Sequence, residues 1–158
     1  MRFIITAQPG ENSKPLDPEA PIDEELFTAH MRFNEEMHKA GVLVASEGLN
    51  PGGQGARIEV TKGTRAVVDG PFAESKELIG GLYIIEVASR EEAIEWALRC
   101  PTGLGFDDVL EIRALTGEDD IPPRLVELIK AAAPTWSASF LQAPQGVRGP
   151  GVSGVFGE

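Results

Sequence analysis

Cysteine is almost absent: Cys100 stands alone among 158 residues, which rules out an intrachain disulfide and a thiolate metal cluster. Cations are scarce too, with 14 Lys and Arg against 25 Asp and Glu and a formal net charge of -11. A nucleic-acid partner requires a basic stripe that neutralises phosphates, and none is present. Docking on a membrane surface through basic residues is disfavoured for the same reason. No apolar run approaches the ~20 residues of a membrane span. The opening MRFIITAQPG turns polar too soon for a signal peptide. The expectation is a cytoplasmic protein whose acidity serves solubility. A hydrophobic fraction of 42% in a chain of this length suits one domain with a real core.

Catalytic motifs with fixed spacing are missing as well. There is no G-x-G-x-x-G after a strand, no P-loop, no G-x-S-x-G elbow and no H-E-x-x-H. His30 and His38 lie eight apart on different faces of one predicted helix and make poor joint metal ligands. No metal and no cofactor are expected. Cys100, beside Pro101 and with no histidine close in sequence, reads as structural.

What is present is a regular alternation of elements. Residues 2–7 (RFIITA) read as a strand, and residues 8–21 as a Pro-containing loop. Asp23 caps a helix that carries Glu24 and Glu25 in its first turn and stops near Ala40 and Gly41. Residues 42–45 form a second strand, followed by a loop over residues 50–55. A hairpin comes next, residues 56–60 and 64–68 about a Lys62-Gly63 turn. Residues 82–87 (LYIIEV) are a strong buried strand, and Ser89-Arg90-Glu91-Glu92 has the capping-box form that opens a second helix ending near Cys100. Residues 109–115 are the last clear strand. Residues 124–133 form a further helix, and residues 135–158, rich in Gly, Pro, Ser and Ala, read as a flexible tail. Stripped of the hairpin, the order is the βαββαβ of an α+β, ferredoxin-like fold. Two helices on one face of an antiparallel sheet leave the other face to be covered, and a homodimer joined through sheet faces is the expected cover.

The residues that could carry chemistry follow from this layout. Leu26, His30, Phe33 and Met37 share one helical stripe, so His30 faces the core. It is either a packed core histidine or a general base or acid at the floor of a pocket that takes a small-molecule ligand. Asp69, at a strand end before Gly70-Pro71, either caps a turn or faces that pocket. Glu47, beside Gly48, is a second carboxylate within reach. Phe72, Glu74, Lys76 and Glu77 follow as a core anchor and a charged cluster, and Arg57, Arg65 and Arg113 could pair these acids or a substrate carboxylate.

The segment Val68-Asp69-Gly70-Pro71-Phe72-Ala73-Glu74-Ser75-Lys76-Glu77 resembles the signature of DGPF-domain proteins, a branch of the YciI-related (YCII) family. Ala40-Gly41-Val42-Leu43 before a Glu-Gly-Leu, and Glu92-Ala93-Ile94-Glu95-Trp96-Ala97 leading to Arg99-Cys100-Pro101, agree with it. The likeness covers roughly residues 1–115. It implies a ferredoxin-like fold assembled as a dimeric α/β barrel, and no single reaction. One branch of the family eliminates HCl from a chlorinated aromatic ring. Barrels of this architecture include isomerases and monooxygenases that work without metal or flavin. The resemblance also implies a first-helix histidine, eleven residues before the helix-ending glycine, acting with a nearby aspartate. His30 stands at that offset from Gly41. Short DGPF members place a histidine further along, where this chain has Asn34, so one fixed dyad is not carried over whole. Two functions follow: a cofactor-independent enzyme of proton transfer or elimination with His30 and Asp69 as the catalytic pair and Glu47, Phe72, Glu74 and Lys76 around the substrate; or a non-catalytic binding or regulatory module, as in proteins that accompany sigma-factor systems.

Overall fold

The computed structural model describes residues 1–13, 21–50, 55–69, 79–102 and 107–141. In chain order the elements are β1 (Arg2–Pro9), α1 (Glu24–Lys39), β2 (Leu43–Gly48), β3 (Ala56–Thr61), β4 (Thr64–Asp69), β5 (Gly81–Glu86), α2 (Arg90–Leu98), β6 (Asp108–Ala114), α3 (Pro123–Ala132) and α4 (Pro134–Leu141). Strands β2, β5, β1 and β6 lie side by side in that order as one antiparallel four-stranded sheet. This is an α+β architecture consistent with the ferredoxin-like arrangement. β3 and β4 form a separate two-stranded ribbon.

Local signals account for the helix limits. Asp23 accepts from the backbone N–H of Leu26 at the start of α1. At its end Gly41 takes φ +74, Gly41 N–H donates to the His38 carbonyl, and Val42 N–H donates to the Met37 carbonyl. These are the two bonds of a Schellman stop, which the left-handed glycine makes possible. Ser89 Oγ accepts from Glu92 N–H while Glu92 reaches back to Ala88 N–H, one residue short of the usual capping-box partner. In the ribbon, Lys62 (φ 51) and Gly63 (φ 83) both hold positive φ, the tight turn that matches strand twist.

The core lies on one face of the sheet. Phe3 pairs across with Ile85, and Ile5 with Tyr83, so these side chains share that face. They are buried with Phe33 and Met37 of α1, Val42, Val87, Ala93 and Ala97 of α2, and Cys100. Both helices therefore pack on the same side. The opposite face carries Ile4, Leu82 and Ile84, all half-buried, and Thr6, buried at 9% exposure.

Three expectations shift. β2 runs on through Ser46, Glu47 and Gly48, because these residues pair with Tyr83, Leu82 and Gly81. β1 likewise extends to Pro9, opposite Asp108. The stretch read as a tail begins with a helix, α4, in which Ser137 is buried and its hydroxyl donates to the Pro134 carbonyl. Residues 142–158 lie outside the described part.

Met37 is fully withdrawn from solvent, whereas Leu98 is 81% exposed on α2. Met37→Ala should cost about 2–5 kcal/mol through lost transfer energy and the cavity left behind. Leu98→Ala should change stability by less than about 0.5 kcal/mol. Urea unfolding midpoints of the two variants check the difference.

Candidate functional site

The stripe on α1 changes character along its length. Phe33 and Met37 are buried against the sheet, but His30 and Leu26, about one and two turns before Phe33, are only half-buried. The reason lies beneath them. On the core face, one step beyond Ile5, Tyr83 and Ser46, the strands carry Ala7, Gly81 and Gly48, which stand in register with one another. Residues this small cannot reach the helix, and the gap is a cavity of about 290 Å³. Its walls include Leu26, Phe27, His30, Met31 and Asn34 of α1, Leu110 and Asp108 of β6, and Pro101.

His30 Nδ1 lies 2.8 Å from the hydroxyl of Tyr83, its one side-chain hydrogen bond among the described residues. The rings run nearly parallel, 24° apart, with centroids separated by 6.5 Å. Phe33 meets Tyr83 edge-on at 5.6 Å and Trp96 at 6.1 Å, which fixes the phenol from its apolar side. Ser46 Oγ donates to Asn34 Oδ1 at 3.2 Å across the same space, and both the Ser46 hydroxyl and the Cys100 thiol interact with the Tyr83 phenol. Desolvation lowers the His30 pKa, and it raises that of Tyr83 well above the usual phenol value. Burial also lifts the Cys100 thiol to about 11. At neutral pH the centre is thus an uncharged imidazole hydrogen-bonded to an uncharged phenol, with an inert thiol beside it.

The sequence candidates separate clearly. His30 and Glu47 both line the cavity. Asp69 ends β4 in the ribbon, at the strand end where it was expected, and is not among the lining residues. Gly70, Pro71, Phe72, Glu74, Lys76 and Glu77 lie outside the described residues. Arg57 and Arg65 are on the ribbon, and Arg113, exposed on β6, stands 3.8 Å from Glu111. Among the described residues the cavity lining includes no Lys or Arg. His38 is exposed. Sequence reasoning missed Tyr83 as the partner of His30, although strand alternation already set Tyr83, Ile85 and Val87 on one face. It missed Asp108 and Ser46 too, because only the register of β2, β5, β1 and β6 brings them to one end of the sheet, and Asn34 because only the seat of α1 sets it over that end.

Residues 1–116 match the model of the YCII-related domain. The chain belongs to the YCII-related family. It is also similar to an uncharacterized protein of Rhizobium meliloti (strain 1021), with 41% identity over 75 residues. That match spans 48% of this chain and 60% of the relative. The YCII-related domain takes in the whole four-stranded sheet, α1, α2 and the cavity, while α3 and α4 follow it.

Two measurements test this description. Between the lowered folded pKa of His30 and its ordinary value of about 6.5, the unfolded chain binds a proton that the folded chain resists. Stability should therefore fall as pH drops through and below about 6.5, and His30→Gln should lack that component. Urea midpoints at pH 7 and pH 5.5 read the difference. Ala7→Leu should fill the cavity while leaving the far-UV circular dichroism unchanged, and a small apolar probe held by the wild type should no longer perturb its Tyr83 fluorescence.

Proposed function

We propose that this YCII-related protein is a small-molecule enzyme that transfers a proton without a cofactor, with His30 as the base. The observation that carries the reading is the Nδ1–Tyr83 hydrogen bond at the wall of an apolar cavity. With hydrogen on Nδ1 donated to the Tyr83 oxygen, the lone pair stays on Nε2. Burial keeps the ring uncharged, so that lone pair is available at neutral pH. In an elimination Nε2 takes a proton from a C–H bond, the C–H electron pair becomes the new double bond, and the leaving group departs with its own pair. Tyr83 is then a positioning residue that holds the tautomer and the ring plane. Phe72, Glu74 and Lys76 keep their proposed places around the substrate on the strength of the sequence resemblance, and Glu47 on its place in the cavity lining.

The same reading includes a cytoplasmic homodimer of the α/β-barrel kind, supported by the half-buried apolar residues Ile4, Leu82 and Ile84 on the sheet face away from the helices. The alternative of a binding or regulatory module is favoured by one feature, the exposed Leu125 and Leu128 on α3.

A panel of chlorinated and hydroxylated rings, assayed for chloride release and for deuterium uptake from D2O, tests the enzyme. Wild-type protein should accelerate one of them, and His30→Ala should lower kcat about 10²–10⁴-fold while the cavity still binds the ring. Tyr83→Phe should lower kcat, shift the pH profile and leave KM close to wild type. Equal rates for wild type and His30→Ala would reject the assignment.

A further inference from the structure

Among the described residues, the ribbon of β3 and β4 is exposed along its whole length. Every described residue from 55 to 69 is exposed. Its register sorts the side chains into two faces. One carries Arg57, Glu59, Thr61, Thr64, Ala66 and Val68. The other carries Ala56, Ile58 and Val60 opposite Asp69, Val67 and Arg65. On that second face Ile58, Val60 and Val67 are 57%, 62% and 66% exposed. A lone two-stranded ribbon is marginal in water, and three β-branched side chains on one face are stabilised by being covered.

We propose that this face packs against the same face of a second copy of the chain. A two-fold axis running between the two ribbons, across the strands at Val67 and Ile58, makes the surface complementary to itself. Arg65 and Asp69 stand two residues either side of Val67, so Arg65 lies over the partner's Asp69 and Asp69 over the partner's Arg65. Ala56 and Val60 flank Ile58 in the same way, so Val60 covers the partner's Ala56. Ile58 and Val67 meet their own copies on the axis. Sheets packed face to face stand ~10 Å apart, a gap that branched side chains fill.

Charge favours a copy as the occupant. Two chains of net charge -11 repel, but screening confines that repulsion to about 8 Å at physiological ionic strength. On the patch itself the charges are Arg65 and Asp69, one of each sign, so it adds no net charge that would hold two acidic chains apart. The patch offers six side chains per copy, fewer than the ~20–30 residues of a standard interface side. The ribbon is therefore a clamp within a larger dimer, and the inference rests on the dimeric reading above, not on the chemistry of His30.

Sedimentation velocity on the full chain at micromolar concentration tests it. Wild type should be a dimer. Arg65→Asp sets a carboxylate against the partner's Asp69 twice and should weaken dimerisation by about tenfold or more. Adding Asp69→Arg reverses both signs and should restore the wild-type constant. Val67→Lys, with like charges meeting on the axis, should weaken the dimer without a compensating change elsewhere, and it keeps the test open if Arg65→Asp does not fold. Dimerisation of a folded Arg65→Asp or Val67→Lys at wild-type strength overturns the clamp and leaves the sheet-face dimer standing. Failure of the double reversal to restore dimerisation overturns the clamp as well. A monomeric wild type overturns both.

Discussion

The contact on which the rest of the molecule depends is the packing of α1 and α2 against a single face of the four-stranded sheet. Strand alternation gives that face Phe3, Ile5, Tyr83 and Ile85, and the helices answer with Phe33, Met37, Ala93 and Ala97. Because the interior is close-packed, the position of α1 is set by its buried C-terminal half. The N-terminal half is then held above whatever the sheet presents at that end. It presents Ala7, Gly48 and Gly81, and the cavity is the consequence. At Gly81 even a single Cβ would stand 3.0 Å from the Glu47 carbonyl oxygen, so a larger residue would have to push the adjacent strand aside by a few tenths of an ångström.

This arrangement also sets the electrostatic state of the site. A histidine half-withdrawn from water, with a phenol as its hydrogen-bond partner, differs in kind from one paired with a carboxylate. A carboxylate would favour the imidazolium and raise the pKa, whereas here desolvation disfavours the charged ring and the pKa falls. The phenol is held protonated by the same burial, and the aromatic contacts of Phe33 with Tyr83 and Trp96 fix its ring. Arg99 lies over the Trp96 ring and pairs with Glu36, so the aromatic cluster is tied at its outer edge to both helices. That exposed ion pair contributes little by itself; its role is to close the solvent side of Trp96.

The ribbon obeys the opposite rule. It has the alternation of a strand pair made to bury one side, yet nothing in the described chain hides that side. Its tight turn and register are local properties, complete without the rest of the fold. The sheet, by contrast, has one face buried under α1 and α2.

The sequence by itself determined the elements and their faces. Asp23, Gly41 and Ser89 marked the helix ends because capping is decided by a few adjacent residues. The spacing of Leu26, His30, Phe33 and Met37 put His30 on the core side, and Lys62-Gly63 placed the turn. Tertiary structure decided the partners. Tyr83 and His30 are 53 positions apart, and only the pairing of β5 with β1 and the seat of α1 on that face bring them to 2.8 Å. Asp69 was read at a strand end beside a turn, and the pairing of β3 with β4 makes its strand part of the two-stranded ribbon. The cavity was illegible for a related reason. Ala7, Gly48 and Gly81 are unremarkable one at a time, and become a void only when three strands align them under one helix.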